Sequence, residues 1–466
     1  MSNDASARAK DYRRLSLWHE TCGDDWRPRD GLNGDTVVDV AIVGAGYTGL
    51  WTAYWLTELA PGTRIAIVEQ EVAGFGASGR NGGFCSALFP TSLRRLAKGS
   101  SREAAVALQQ TMNDAVGHIG EVLKREGIDC DFEHGGYLSV ARNQAQLARV
   151  RSSVAELRSW GFGAEHVCEL SAAEVAERVR MSDALGGLFS RNCAAVHPAK
   201  LVRGLAECVE RRGIRIYERT RATTIAPRVV ATDRGIVHAD VVIRGTEGYT
   251  ADLEGSHRDL VPMYSLMVAT EPLDPVLWDQ IGLAERTTFS DGRHLRIYGQ
   301  RSADGRFAFG GRGAPYHYGS RISPDFDTDA RVHEMLRTIL TDLFPVIRNV
   351  AFTHAWGGSL GIPRDWYPSV TYDRVTGLGS AGGYVGDGVS TAEVAGRTLA
   401  HLVSGEPSEL TSLPWVGHDS PRWEPEPLRW VGVNAVTALF ATADVTERRT
   451  GRPSRAAKTF WRAIGH

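Results

Sequence analysis

The stretch "TVVDVAIVGAGYTGLWTAYWLTEL", residues 36–59, constrains the fold more than any other part of the chain. A β-branched apolar run, Val37 to Val43, has the length of a buried strand. A glycine turn follows at Gly44, Gly46 and Gly49, and then Leu50, Ala53, Leu56 and Leu59 recur at helical spacing. A second strand, "RIAIVE", ends at Glu69. Strand, G-x-G-x-x-G turn, helix, strand and acid in this order meet the contextual requirements of a dinucleotide-binding fold. Gly44 makes the tight turn, Gly46 lets the backbone approach a pyrophosphate, and Gly49 lets the helix pack close to the strand. The helix entry, with Ala45, Tyr47 and Thr48, offers free N–H groups and the positive end of a dipole. Glu69, with Gln70 beside it, is placed to accept hydrogen bonds from an adenosine ribose.

A second match to the same fingerprint lies in "VAGFGASGRNGGF", at Gly74, Gly76 and Gly79. No new strand precedes it and no helical period follows, so it is not expected to bind a second nucleotide. A loop leaving the second strand of such a fold emerges beside the bound cofactor. If the nucleotide is FAD, the loop Gly76, Ala77, Ser78, Arg80, Asn81, Gly82 and Gly83 runs along the ribityl chain and the ring. Ser78 then reaches a phosphate, and Arg80 and Asn81 bond at the isoalloxazine or guard its face.

These residues carry a resemblance. "DVAIVGAGYTGL" and "VEQEVAGFGASGRNGG" resemble the FAD-dependent D-amino-acid oxidase/glycine oxidase superfamily. "GASGRNGG" is similar to its gamma-glutamylputrescine oxidase-like branch. "GGYLSVA", "VHPAKLVRGLA", "WGGSLGIPRDWYPSV" and "GLGSAGGYVGDGVSTAEVAGRTLAHLV" extend the likeness over roughly residues 15–405. It implies an α/β fold: a Rossmann-like FAD-binding domain interleaved with an α+β substrate domain built on an antiparallel sheet. The expected division is 1–35 as an N-terminal extension and 36–130, 195–255 and 352–405 as the FAD-binding domain. Residues 131–194 and 256–351 then form the substrate-binding domain, and 406–466 a basic helical extension. The resemblance implies non-covalent FAD, since no cysteine follows Cys208 to attach the flavin. It also implies that backbone near Ala222 meets the adenosine half. Family members usually read Ala-Thr-Asn where this chain has Gly245-Thr246-Glu247.

The lead-in 1–35 reads as polar and turn-rich, and 103–126 as an amphipathic helix with Ala105, Leu108, Met112, Ala115, Ile119 and Val122 on one face. Residues 261–312 read as an antiparallel meander, and "TDARVHEMLRTILTDLFP" as a helix ended by Pro345. Near the end, "GLGSAGGYVGDGVSTAEVAGRTLAHLVSG" reads as strand, glycine turn and long helix, with Asp387 or Ser390 as its cap. The resemblance sets this helix N-terminus, with Gly383, Tyr384, Gly386, Asp387, Gly388 and Val389, against the pyrimidine edge of the flavin. A helix N-terminus there stabilises the negative charge of the reduced ring.

The chemistry this implies is oxidation of a primary or secondary amine to an imine by hydride transfer to flavin N5. Imine hydrolysis and reoxidation by oxygen, giving hydrogen peroxide, complete the cycle. Pocket candidates are Arg80, Tyr264, Arg312, Trp356, Tyr384 and Asp387. Related sequences often carry His where this chain has Asp387, and a carboxylate there suits a cationic substrate. Family amino-acid oxidases place a carboxylate-binding arginine after a similar Trp-Gly segment, where this chain has Ser359 and Leu360. An amine with a distal anionic group, met by Arg312 or Arg364, therefore fits better than an α-amino acid. A dehydrogenase with a quinone or carrier-protein acceptor is the alternative, and a non-catalytic or RNA-related flavin module is another.

Bulk properties narrow the partners. The net charge of -2 gives no basic field for nucleic acid. Six cysteines without a C-x-x-C pair suit a reducing, cytoplasmic setting and no metal. Val40 to Thr57 lacks charge, but its three glycines suit a strand–turn–helix and not a membrane span. Arg448 to Arg462 carries six basic residues and no acid. This tail is expected to pack on its own protein or on a second subunit, or to touch a membrane surface or partner.

Overall fold

The computed structural model describes residues 10–463; the first nine residues of the N-terminal extension and the last three of the tail lie outside them. Thr36–Val43 sits inside an eight-stranded sheet, parallel to Ile65–Val68 on one side and to Gly235–Arg244 on the other. Val40 stands opposite both Ile65 and Val241. Ser369–Asp373 and Leu378–Gly382 extend one edge, and Arg215–Tyr217 the other. Ile65–Val68 is buried at every position, as expected for a strand covered on both faces. Its partners in one core are the helices Tyr47–Leu59, Arg102–Glu126, Pro198–Arg211 and Gly388–Ser404.

The apolar stripe of Arg102–Glu126 is buried as its spacing requires, between a Ser101 cap and Gly127 at φ +67°. Gly388–Ser404 packs so tightly on Tyr47–Leu59 that a Cβ at Gly396 would lie 2.7 Å from the Thr52 amide. The N- and C-terminal thirds of the chain thus share one layer.

A second eight-stranded sheet runs Phe352–Pro363, Leu260–Thr270, Phe307–Gly311, Ile297–Arg301, Thr288–Asp291, Tyr137–Ala141, Gly186–Ser190 and Val167–Ser171. Every neighbour pair is antiparallel except Thr288–Asp291 with Tyr137–Ala141. Ala330–Leu343 covers its apolar side and stops two residues before Pro345. The mixed parallel and antiparallel α/β architecture is the one the sequence implies. Among the described residues no helix is long and apolar enough to cross a membrane, and no His/Cys/Asp/Glu group could hold a metal. All six cysteines are free.

The lead-in, polar and turn-rich as its sequence reads, is packed against the rest of the chain. Tyr12, Leu17, Trp18 and Trp26 are buried, and Arg29 pairs with Glu210 and the fully buried Glu218. Most of its buried apolar residues are large aromatics, and these rather than the polar majority decide where it lies.

Candidate active site

One elongated cavity of about 440 Å³ runs along the carboxyl end of the first sheet. Gly44, Gly46, Tyr47 and Thr48 line one wall, with Glu69, Gln70 and Glu71 at its base. Gly74, Phe75, Gly76, Ala77, Ser78 and Asn81 form the next wall, and Thr220, Arg221, Ala222 and Thr223 one end. Gly245 to Tyr249, Ser359, Leu360, Tyr384, Gly386, Gly388 and Val389 close the rest.

The local geometry follows from the glycines. Gly44 has φ +104°, and a Cβ there would stand 2.7 Å from the Gly245 carbonyl oxygen. A Cβ at Gly49 would fall 2.0 Å from the Gly44 oxygen, so only glycine lets the helix start this close to the strand. The helix has no side-chain cap, and the Thr48 and Gly49 amides find no acceptor among the described residues. Tyr47 N donates to Ser78 Oγ at 2.9 Å. Gly388–Ser404 also begins uncapped at the same cavity. Asp387 stands at its N-cap position without a side-chain bond, and Ser390 donates instead to the Ser86 carbonyl, so neither caps as expected. Two open helix N-termini therefore face one cavity, an arrangement suited to a ligand with a diphosphate and an anion-forming ring.

The second glycine motif echoes the first. Gly74 has φ +88°, and a Cβ at Gly79 would lie 2.2 Å from the Gly74 oxygen. It opens a four-residue helix, Ala77–Arg80, where no helical stretch was expected. The motif produces the same turn in both places; only the first has a strand feeding it.

Buried carboxyls shape the electrostatics. Glu69 accepts from Ala45 N at 2.9 Å and Glu71 N at 3.0 Å, and burial lifts its pKa to about 7. Glu247 accepts from Tyr384 N at 3.1 Å and Gly361 N at 2.5 Å; burial lifts it likewise to about 7, against the pull of those amides. The departure at Gly245-Thr246-Glu247 thus ties three elements around the cavity. Tyr384 Oη and Thr48 Oγ1, 2.8 Å apart, join the two helix entries.

Several sequence candidates lie behind the lining. Ala45, Gly49, Gly82, Gly83 and Gly383 support turns, with Gly82 packed under the Tyr298 ring. Arg80 is held by Asp327 at 2.6 Å and by Tyr249 Oη at 3.1 Å, with its guanidinium over Phe75. Trp356 is 2% exposed, donates to the Arg80 carbonyl and stands edge-on to Trp18. Tyr264 is bonded to the Ser323 backbone. Arg364 pairs with Glu424. Arg312 and Asp387 lie just behind the lining, beside Gly386. A Cβ at Gly386 would be 3.5 Å from both Arg312 Nη2 and Leu360 Cδ1. Arg312 donates through Nη2 to the Val385 carbonyl, and its Nε and Nη1 have no partner among the described residues. Burial, then Arg296, lower its pKa to about 10, while Asp387 pulls it up. Burial lifts Asp387 to about 6, opposed by Arg296 and Arg312. Glu247, Tyr249 and Thr220 lack a sequence signal that marks them as lining; Glu247 alone stood out, as a departure from the family.

A family model described as FAD dependent oxidoreductase matches residues 39–402. The chain belongs to this family of FAD-dependent oxidoreductases. It is 32% identical over 395 residues to a probable oxidoreductase, OrdL, of Rhizobium meliloti, spanning 82% of this chain and 86% of that one. It is 30% identical over 411 residues to gamma-glutamylputrescine oxidoreductase of Escherichia coli, spanning 86% and 92%. The glycine oxidase structure from Geobacillus kaustophilus superposes with a TM-score of 0.68 at 20% identity, covering 82% of this chain and 99% of that one. The cofactor of the family, FAD, fits the donor set: a glycine cradle that a Cβ would fill, two uncapped helix entries and an acceptor carboxyl at Glu69.

Proposed function

We propose that this enzyme oxidises a primary or secondary amine bearing a distal anionic group, with oxygen as the final acceptor and hydrogen peroxide as a product. Gly44, Gly46, Thr48 and Ser78 are assigned to the diphosphate, Glu69 to the ribose, Thr220 to Thr223 to the adenine end, and the Gly386–Val389 turn to the ring. FAD, when bound, supplies the two-electron oxidant that turns the amine C–N bond into C=N. The chain itself orients the amine and excludes side reactions. The Asp387 carboxylate binds the ammonium and takes one of its protons, so that the neutral amine can give up the hydride, and Arg312 Nε and Nη1 hold the distal anion. The released imine is hydrolysed by water.

The juxtaposition at Gly386 of a carboxylate without a hydrogen-bond partner and a half-free guanidinium carries this reading. It suits a substrate with both charges, and the E. coli relative bears the name gamma-glutamylputrescine oxidoreductase. The division into an FAD-binding domain (36–130, 195–255, 352–405) and a substrate domain (131–194, 256–351) belongs to the same proposal.

The test is a peroxide-coupled screen of polyamines, their γ-acylated acids, N-methyl amino acids and aryl-alkyl amines, followed by anaerobic reduction and mixing with air-saturated buffer. Bleaching of the flavin by amino acids with a distal carboxylate and rapid reoxidation by oxygen are expected. Reoxidation by a quinone but not by oxygen would assign the dehydrogenase reaction instead.

A further inference from the structure

We infer that the C-terminal helix pair, Leu428–Thr450 and Arg455–Ala463, is a specificity-setting wall of the active site, holding Arg296 and Arg312 where they receive the distal anion of the substrate. The inference rests on the amine reading above and adds a part of the chain to it. The family model ends at residue 402, so this wall lies outside the shared fold.

The tail is built into the molecule. Glu447 is 2% exposed and is bonded to Arg149 Nη2 at 2.6 Å, His294 Nε2 at 3.0 Å and Ser454 N at 2.8 Å. Asp444 accepts from His294 N at 2.7 Å and Leu295 N at 2.9 Å. Both carboxylates therefore clamp the turn between the strands Thr288–Asp291 and Ile297–Arg301. Phe440 stacks on the His294 ring, centroids 5.6 Å apart.

That turn leads directly to Arg296 and, through it, to Arg312. The Arg296 carbonyl accepts from Arg312 N at 3.0 Å, so a shift of the turn moves both arginines. Arg296 is exposed, and its charge is felt at both Arg312 and Asp387. A second path comes through aromatics. Trp461 stacks on Phe440 at 5.1 Å and stands edge-on to Trp366 at 6.0 Å. The Arg312 guanidinium lies 5.5 Å from the centroid of the Trp366 ring, within cation–π range. Two chains of contact thus run from the tail, one to the backbone shared by Arg296 and Arg312 and one to the Arg312 guanidinium. Discrimination between an acid and its amide depends on how well such cations are preorganised.

The test uses the full-length, FAD-loaded protein with Trp461→Ala, Trp461→Phe and Glu447→Gln. Glutarate is titrated while flavin absorbance is followed, and kcat/KM is compared for the best carboxylate-bearing amine and its amide. Trp461→Ala and Glu447→Gln are expected to weaken glutarate about tenfold and cut the acid-to-amide preference about tenfold. Turnover of the amide should stay within about twofold, and Trp461→Phe should restore the wild-type values. Should Trp461→Ala lose its flavin, Trp461→Phe and Glu447→Gln still give the comparison. Wild-type glutarate affinity and acid preference in the folded variants would overturn the inference, as would failure of glutarate to bind the wild type. If no amine is oxidised but the variants still weaken glutarate, the amine reading falls and the wall stands.

Discussion

Glu247 offers the sharpest test of how the cavity is held open. Its carboxyl accepts from Gly361 N and Tyr384 N, one on the strand Phe352–Pro363 and one in the turn before Gly388–Ser404. Glu247→Ala leaves both amides without an acceptor. An orphaned buried amide costs about 1–3 kcal/mol, so the two together cost about 2–3 kcal/mol at the lower end of that range. On the proposed placement of the ring, that cost falls on the rim around it and weakens cofactor binding. An increase in the Kd for FAD of about 10–100-fold is expected, since each tenfold is about 1.4 kcal/mol. The assay is titration of apoprotein with FAD by quenching of flavin fluorescence, alongside thermal unfolding of the apoprotein. A Kd within about twofold of wild type, with an unchanged melting temperature, would refute the argument that Glu247 ties the rim together.

Two further outcomes follow from the same geometry. Gly46→Val places a branched side chain 2.9 Å from Ser78 Oγ at the helix entry, so the apoprotein should fold near the wild-type melting temperature but show no saturable FAD quenching. Asp387, lifted to about 6 by burial, is ionised above that pH and neutral below it. Pairing with a cationic amine is therefore gained as pH rises through about 6, and kcat/KM should show an acid limb there that Asp387→Asn abolishes. An acid limb that persists unchanged in Asp387→Asn would assign it to another group.

Elements with short-range signals were legible before the fold was known. The Gly44–Gly49 turn, the strand before it (buried over Val40–Val43, with Val37 exposed), the stripe of Arg102–Glu126 and the strand–turn–helix at the C-terminal return all follow from spacing and glycine geometry. Most of the residues expected at the cofactor line the cavity, because they sit on these turns. The catalytic candidates were less legible. Arg80 has a partner, Asp327, in a 3₁₀ turn far along the chain, and Trp356 joins an aromatic cluster with the lead-in residue Trp18. Nothing near either residue in the sequence announces those partners. The four-residue helix after Gly76 was missed for another reason: one turn is too short to show a period.

By itself, then, the sequence determined that a dinucleotide fold must form at residues 36–69 and that glycine turns must stand beside it, since these depend on backbone sterics within a few residues. Only the tertiary structure decided which charges lie next to the cavity. Arg312 and Asp387 stand behind its lining at Gly386 while Arg80 and Arg364 are neutralised by partners, and the tail reaches back to the turn before Arg296. The reason is physical: a buried charge takes whichever opposite charge the packing of distant segments brings within about 4 Å, and that choice has no local imprint.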